Sequence, residues 1–259
     1  MAAAVLPEAL VHALGRLALT ANLLVALDFD GTLAPTVDDP ERARALPEAR
    51  AAVLALLAAP ATRVALVSGR ALASLEAASD LPETALLVGS HGSELRLDDS
   101  QTRLGLDPGE RGRLGLLHEI LRGVADSTDQ VWLESKPVGF ALHTRLASER
   151  NSRIAQQRAL SRTARIGDLT VRHGNNVLEF SVRSATKGEA IEQLREHAAA
   201  TAIFFAGDDA TDEDGFAALR LEDVGLKSGS GPTLAGFRVP GPPEVALALH
   251  LLADLRTRR

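Results

Sequence analysis

The distribution of hydrophobic and polar positions indicates an α/β core. Continuous apolar runs recur at residues 23–28, 63–67, 85–89 and 202–206. Strands that are apolar on both faces are typical of a parallel sheet that helices cover on both sides. Helical patterns lie between the runs, for example at residues 47–59, where Pro47 suits a first turn, and at residues 187–200. We therefore predict a doubly wound parallel sheet.

The pattern changes between about residues 107 and 183. Four runs, VWLES, VGFALHTR, LTVRH and NVLEFSV, alternate polar and apolar residues, which predicts an antiparallel sheet with one face in water. Helical patterns precede the first run and occupy residues 148–162. We predict an α+β domain inserted into the core, with domain bounds 1–106, 107–183 and 184–259. The expected hinges are the joins near Gly105 to Gly109 and Ser184 to Gly188.

Composition excludes several classes of protein. The 259 residues are 46% hydrophobic and carry a net charge of -6, with scattered basic residues and few aromatic ones, which argues against nucleic-acid binding. Without cysteine there is no disulfide framework or thiolate zinc site. The apolar N-terminal segment is interrupted at Pro7, Glu8 and His12, which predicts a surface helix of a cytoplasmic protein, not a signal peptide. No run approaches the roughly 18 apolar residues of a membrane span.

Two carboxylates follow the first apolar run, in LVALDFDGTLAP. Ligands of open parallel sheets bind beyond the carboxyl ends of the strands, where Asp28 and Asp30 lie. The alternative is a β-hairpin, since Asp-Gly favours turns. Pro35 and Pro40 follow without a recognisable return strand, which disfavours the hairpin.

The acidic segment GDDATDED, residues 207–214, follows the last apolar run in the same way. It suits a helix N-terminus in which Thr211 is the capping residue, and that interpretation is compatible with a binding site. An EF-hand loop is excluded, because anchoring it on Gly215 leaves its first and last ligand positions without carboxylates. Asp208 and Asp209 precede the helix. Four carboxylates at one sheet edge repel one another unless a cation lies among them, and oxygen ligands suit Mg²⁺.

Ser68 and Lys187 are two further candidates. VSGR, residues 67–70, ends an apolar run and offers a hydroxyl and backbone N–H groups to a phosphate, although such a tripeptide is also a common turn. Lys187 is one of three lysines in an arginine-rich chain and precedes a predicted helix, an unfavourable place for a cation without a role. A solvated surface lysine is the alternative.

Together, DFDGT, SGR, Lys187 and GDDATDE resemble, in order and spacing, the haloacid dehalogenase (HAD) superfamily of phosphohydrolases. The resemblance implies that Asp28 attacks phosphorus and that Asp30 is the general acid and base. It implies that Ser68 and Lys187 hold the phosphoryl group. The implied Mg²⁺ ligands are Asp28, the backbone of Asp30, Asp208 and Asp209.

The inserted segment lies where the C2 class of caps is found in this superfamily. Within it, Glu134 and Lys136 are two residues apart on a predicted strand and share a face, as do His143 and Arg145. One interpretation is a solvated sheet face with cross-strand ion pairs. The other is a clamp that hydrogen-bonds the hydroxyls of a sugar.

Residues from about 20 to 255 resemble the trehalose-6-phosphate phosphatase family. The resemblance rests on GSHGSE at 89–94, the E-x-K and H-x-R pairs, V-x-E at 177–179, and GDDATDE. It implies hydrolysis of the small sugar phosphate trehalose 6-phosphate to trehalose and phosphate, a step that follows a trehalose-6-phosphate synthase. The implied substrate-binding residues are Gly69, Arg70, His91, Glu134, Lys136, His143, Arg145 and Glu179.

The chain departs from the family pattern at four positions. Asn175 stands where the family usually has lysine, Ser181 and Val182 where it has Arg-Pro, and Thr186 where aspartate is common. The first departure removes a cation from the implied sugar site. Three other hypotheses remain open. The chain could be a capped phosphatase of sucrose 6-phosphate or a glycosyl phosphoglycerate, or an inactive sugar-phosphate sensor. It could also be a receiver domain, although such a domain is about half as long as this chain.

Overall fold

The computed structural model describes residues 6–37, 40–98, 100–103, 106–174, 176–183 and 186–258. Contacts divide the chain into two compact units. The core comprises Met1–Thr102 and Ala185–Arg259, and the inserted domain comprises Arg103–Ser184. Among the described residues, no helix has both the length and the apolar character needed to cross a membrane.

The described elements are numbered along the chain. The strands are β1 Leu23–Leu27, β2 Thr62–Val67, β3 Leu86–Gly89, β4 Glu94–Leu97, β5 Ser100–Arg103, β6 Trp132–Lys136, β7 Gly139–His143, β8 Thr170–Gly174, β9 Val177–Ser181, β10 Ala202–Gly207, β11 Val224–Ser228 and β12 Phe237–Val239. The α-helices are α1 Glu8–Leu17, α2 Pro47–Ala58, α3 Leu72–Ser79, α4 Pro108–Asp126, α5 Glu149–Thr163, α6 Lys187–His197, α7 Asp212–Ala217 and α8 Pro242–Thr257. Single 3₁₀ turns lie at Pro40–Arg42 and Ser90–Gly92.

The core sheet has eight strands in the order β12-β11-β10-β1-β2-β3-β4-β5. The six from β12 to β3 are parallel, which confirms the predicted doubly wound sheet, whereas β4 is antiparallel to β3. The four apolar runs correspond to the strands β1, β2, β3 and β10. The strands β4, β5, β11 and β12 were not predicted, because they carry polar residues that break the apolar pattern.

Strands β1 and β10 are neighbours, and this pairing positions the site. Leu27 at the end of β1 is in register with Ala206 of β10, so the two segments that follow leave the same sheet edge. One face of the sheet packs on a cluster that includes residues of α1, α2, α3 and α8. On the other face, α6 and α7 approach β10 so closely that a methyl group on Gly215 would meet Phe205 and Ile191.

The inserted domain has a four-stranded antiparallel sheet in the order β6-β7-β9-β8, as the alternating pattern predicted. Helices α4 and α5 pack on one face of this sheet around Leu121, Phe140, Ala159 and Phe180, all of which are buried. The opposite face carries the polar positions of the strands.

An ion pair joins the two ends of the inserted domain. Arg183 donates to both carboxylate oxygens of Glu110, at 2.9 and 2.6 Å. Glu110 also forms a capping box with Asp107 at the start of α4. This hydrogen bonding by Arg183 holds the pKa of Glu110 below its ordinary value. Of the predicted hinges, Gly105 and Ser184 lie outside the described residues.

Candidate active site

Lys187 is a buried cation held between two carboxylates. It is the first residue of α6, and its Nζ donates to Asp28 Oδ1 and to Asp212 Oδ1, each at 2.7 Å. The three side chains are at most 6% exposed. Burial alone would lower the pKa of Lys187, but the two carboxylates outweigh it and raise this pKa. The lysine therefore stays charged where a phosphate oxygen could replace one carboxylate as its partner.

Thr186 explains how the chain tolerates a departure from the family pattern. Its hydroxyl accepts a hydrogen bond from the backbone N–H of Glu189, and the Glu189 carboxylate accepts one from the N–H of Thr186. This capping box starts α6 as an aspartate would, since both residue types are good N-caps. Lys187 is thus placed without the usual aspartate.

Three carboxylates converge beside Lys187. One oxygen each from Asp28, Asp208 and Asp212 lies within 4.8 Å of the others. Burial raises the pKa of Asp28 to about 6 against the opposing effect of Lys187. Burial and the Asp209 charge raise the pKa of Asp208 to about 6, and burial and Asp28 raise that of Asp212 to about 7. Such mutual repulsion, with oxygen-only donors, fits a hard divalent cation such as Mg²⁺.

Asp212 was not among the residues predicted to form the site; from the sequence it was expected only as an acid at a helix N-terminus. The side chain is fully buried, and its second oxygen accepts hydrogen bonds from the backbone N–H groups of Asp208 and Asp209. The spacing of four residues between Asp208 and Asp212, across the start of α7, was the available signal. A carboxylate in that position turns back toward the strand end instead of facing solvent.

Asp209 caps α7 in the structure. Its Oδ1 accepts hydrogen bonds from the hydroxyl and backbone N–H of Thr211 and from the N–H of Asp212. Thr211 is at the N-cap position of α7, as predicted, but its side chain makes no capping hydrogen bond. Burial would raise the pKa of Asp209, but Lys187 and these hydrogen bonds lower it to about 2. Metal ligation by Asp209 and by the backbone of Asp30 stays a prediction.

Lys227, at the end of β11, is a second buried lysine that the sequence analysis did not single out. Its Nζ donates to the backbone carbonyl of Asp209 at 3.1 Å and to Glu213 at 3.3 Å. Glu213 also accepts a hydrogen bond from the N–H of Leu234. These bonds fix the acidic loop against β11.

Gly31 lets the first acidic segment approach the second. Its φ is +80°, and its carbonyl accepts a 2.7 Å hydrogen bond from the Ser228 hydroxyl. A Cβ at this position would lie 2.1 Å from a carboxylate oxygen of Asp208. Glycine is therefore required at position 31 for two reasons: the positive φ and the lack of space for a Cβ beside the Asp208 carboxylate.

We expect Gly31→Ala to displace Asp208 and to lower kcat by about 10²-fold, the order of loss that an ångström of misplacement can cause. Gly229→Ala is the matched control, because Gly229 has a φ of +81° but no atom within 4 Å of an added Cβ. Both variants should lose about 1 kcal/mol for the backbone conformation, and Gly31→Ala should lose more, because its Cβ also meets the Asp208 carboxylate. Equal kcat values for the two variants would show that Asp208 does not need its present position.

The SGR loop places Arg70 against Asp30. Arg70 donates from Nε to Asp30 Oδ2 at 2.5 Å and from Nη2 to Oδ1 at 2.7 Å, a bidentate pair. Its guanidinium also lies 5.4 Å from the centre of the Phe29 ring. The Ser68 hydroxyl accepts a hydrogen bond from the Arg70 N–H, which closes the loop. The structure thus brings two predicted residues, Asp30 and Arg70, into direct contact.

Backbone hydrogen bonds join the loop around His91 to the SGR loop. The His91 N–H donates to the Ser68 carbonyl and the Ser90 N–H to the Arg70 carbonyl. Both Ser90 and His91 have positive φ, 49° and 57°, a conformation that is costly without glycine. A Cβ on Gly69 would come within 2.6 Å of the His91 ring, so glycine is needed for this contact.

Glu94 stabilises both loops. Its buried carboxylate accepts hydrogen bonds from the Ser90 hydroxyl and from the backbone N–H of Leu72, each at 2.9 Å. One side chain thereby holds the strained turn and satisfies a free N–H at the start of α3.

In the inserted domain, four predicted residues form one hydrogen-bonded pair and one ion pair on the polar face of the sheet. Glu134 lies 2.7 Å from the His143 ring, which lowers the pKa of Glu134, and Lys136 lies 2.5 Å from Glu179. These pairs agree with the solvated-face interpretation and leave the sugar-clamp interpretation as a prediction.

The predicted shared face of His143 and Arg145 was wrong. Strand β7 ends at His143, and Arg145 is exposed in the turn that follows. The strand ends because Thr144 turns inward: its buried hydroxyl donates to the Asn176 carbonyl and is within hydrogen-bond distance of Ser152. Asn175, the departure that removes a cation, lies outside the described residues.

Comparison with known proteins identifies similar chains. The model of the trehalose-phosphatase family matches residues 26–237. The trehalose-6-phosphate phosphatase of Escherichia coli (strain K12) is 33% identical over 242 residues, which cover 90% of this chain and 88% of that protein.

Two solved structures share the fold. The C-terminal domain of the Candida albicans trehalose-6-phosphate phosphatase has a TM-score of 0.78 at 22% identity and covers 98% of this chain and 99% of that one. A haloacid dehalogenase-like hydrolase from Bacteroides thetaiotaomicron has a TM-score of 0.66 at 15% identity, over 89% of this chain and 98% of that one. The predicted HAD-like core with an inserted α+β domain is thus confirmed.

Proposed function

The chain belongs to the trehalose-phosphatase family and is a phosphoric monoester hydrolase, and from that premise we propose that it hydrolyses trehalose 6-phosphate through a covalent phosphoryl intermediate on Asp28. The observation that carries this proposal is the buried Lys187 between Asp28 and Asp212, beside Asp208. The Lys187 ammonium group, which neutralises Asp28 and Asp212 in the structure, can neutralise a phosphate oxygen in the same way. The same contact orients the Asp28 carboxylate for attack.

The reaction has two steps. In the first, Asp28 attacks phosphorus in line with the ester oxygen, the P–O bond to the sugar breaks, and Asp30 gives its proton to the leaving oxygen. In the second, Asp30 takes a proton from a water molecule that attacks the aspartyl-phosphate and releases phosphate. In the structure both Asp30 oxygens accept hydrogen bonds from Arg70, so at least one of these bonds has to break before Asp30 can carry the proton.

The carboxylates of Asp28, Asp208 and Asp212 are the residues of this chain that would hold Mg²⁺. When bound, the ion neutralises phosphate charge and stabilises the transferring group. Gly31 lets the first acidic segment lie close to Asp208, and Lys227 holds the second segment through the Asp209 carbonyl. The sugar is recognised by Glu134, Lys136 and Glu179, whose charged groups suit hydroxyls.

The decisive experiment measures phosphate release with Mg²⁺ from a panel of four substrates. These are trehalose 6-phosphate, sucrose 6-phosphate, glucose 6-phosphate and glucosyl-3-phosphoglycerate. The proposal predicts the highest kcat/KM on trehalose 6-phosphate. A higher value on another member would assign the chain a different sugar phosphate, and no turnover of any would favour a sensor.

The raised pKa values predict a pH-dependent stability in the metal-free protein. Because the folded state holds protons on Asp28, Asp208 and Asp212 more tightly than the unfolded state, the stability that these three groups contribute is present at low pH and is lost as pH rises toward about 7. Mg²⁺ requires the deprotonated carboxylates, so it should raise Tm at pH 8 and have little effect at pH 5.

This prediction is checked by thermal unfolding in EDTA and in Mg²⁺ at both pH values. Asp208→Asn is the control, since it removes one repelling charge and one ligand together. That variant should be less sensitive to both pH and Mg²⁺ than the unmodified protein. An Mg²⁺ effect of equal size at both pH values would contradict the assignment of the site.

A further inference from the structure

Trp132 is an exposed aromatic side chain on a polar surface. It is the only tryptophan of a chain that has no tyrosine, and it is 38% exposed, whereas six of the seven phenylalanines are buried. Aromatic side chains contribute most when they are buried or when they contact a partner. A core role therefore does not account for Trp132.

The strand register places Trp132 on the face that carries the hydroxyl-binding candidates. Trp132, Glu134 and Lys136 alternate along β6, so their side chains leave the same side of the sheet. Across the sheet, Trp132 is opposite His143, and Glu134 and Glu179 are both opposite Ala141. The indole is therefore next to a cross-strand row in which Ala141 lies between the carboxylates of Glu134 and Glu179.

Trp132 is held in a fixed orientation. Its indole stacks on the His143 imidazole, with ring centres 4.8 Å apart and planes inclined by 8°. The His143 ring is in turn bound to Glu134 at 2.7 Å. A large side chain that is already ordered loses little conformational entropy when it binds a ligand.

A sugar has both features that this face can recognise. Its hydroxyls suit charged acceptors and donors such as Glu134, Lys136 and Glu179, and its C–H groups form an apolar surface that packs on a flat aromatic ring. The flanking charges, in contrast, disfavour a hydrophobic protein partner, whose interface would be depleted of charged residues. We infer that Trp132 is a specificity-determining residue, the surface on which a glucose ring of the disaccharide phosphate packs. This inference rests on the proposed function.

Because Trp132 is the sole tryptophan, intrinsic fluorescence reports on this position alone. The probe is trehalose 6-phosphate added to the Asp28→Asn variant, which should bind substrate without consuming it. The emission maximum should shift with saturation, and acrylamide quenching should fall by about twofold. Inorganic phosphate should leave both unchanged. Binding measured by calorimetry with no change in fluorescence would overturn the inference.

Kinetics of three variants give an independent test. Trp132→Ala should lower kcat/KM for trehalose 6-phosphate by roughly 10-fold, mostly through KM, because it removes apolar contact with the sugar. Trp132→Phe should lose less, and hydrolysis of p-nitrophenyl phosphate, which lacks the sugar, should be unchanged in both. Leu146→Ala, at a residue of the same domain that is 64% exposed, is the control for surface changes.

The two proposals fail in different ways. If the unmodified protein hydrolyses trehalose 6-phosphate and Trp132→Ala does so with the same kcat/KM, this inference is overturned and the proposed function stands. Equal losses on both substrates would also overturn it, since they indicate a structural role. If the unmodified protein does not hydrolyse trehalose 6-phosphate, the proposed function is wrong and the inference is overturned with it.

Discussion

Asp28→Asn should lower kcat by about 10⁴-fold or more, the order of loss seen when a catalytic nucleophile is removed. An asparagine amide oxygen can still accept the hydrogen bond from Lys187, but it cannot attack phosphorus and leave a hydrolysable ester. The variant should nevertheless fold, because it removes one of three carboxylates that repel one another. Steady-state phosphate release and thermal unfolding at pH 8 measure the two effects separately.

Asp30→Asn is the matched control for the nucleophile. It keeps Asp28 and Lys187 in place and impairs proton transfer, which typically contributes about 10² to 10⁴-fold. With p-nitrophenyl phosphate, whose leaving group needs no proton from Asp30, the covalent phosphoryl group should then be detectable on Asp28 in this variant by mass spectrometry of rapidly quenched protein. A phosphoryl group found on any other residue would contradict the proposed mechanism.

Sequence periodicity was sufficient for the elements that build the core. The runs at β1, β2, β3 and β10 are apolar on both faces because helices cover both sides of the sheet. The strands that carry polar residues were not predictable in the same way. Strand β11 carries Lys227, whose charge is satisfied by a backbone carbonyl and a glutamate that only the folded loop brings near it.

The residues of the site also differ in whether sequence periodicity could locate them. Asp28, Lys187 and Asp208 were predictable because each follows or precedes a regular element whose end is fixed by the sheet. Asp212 was not, because its role depends on the turn that brings a helix N-terminus back toward a strand end. Arg145 illustrates the opposite error. The alternating pattern predicted that β7 continues to Arg145, but the strand ends at His143, and the Thr144 hydroxyl donates to the Asn176 carbonyl.

Lys187→Met should both inactivate and destabilise the protein. The substitution leaves Asp28 and Asp212 buried without their shared cation, and breaking a buried ion pair in this way typically costs about 3 to 5 kcal/mol. The loss should be smaller at pH 5 than at pH 8, because the carboxylates can take up protons at the lower pH. Urea unfolding in EDTA at the two pH values measures this difference.

A second substitution separates charge balance from chemistry. In Lys187→Met/Asp212→Asn the uncompensated anion at position 212 is removed, while the asparagine oxygen can still accept hydrogen bonds from the N–H groups of Asp208 and Asp209. We expect this double variant to recover much of the lost stability, since removing both members of a buried pair costs far less than removing one. It should recover no activity, because Lys187 is no longer there to neutralise a phosphate oxygen and to orient Asp28. Equal stabilities of the single and double variants would mean that the packing of the lysine stem, and not its charge, holds Asp28 and Asp212 together.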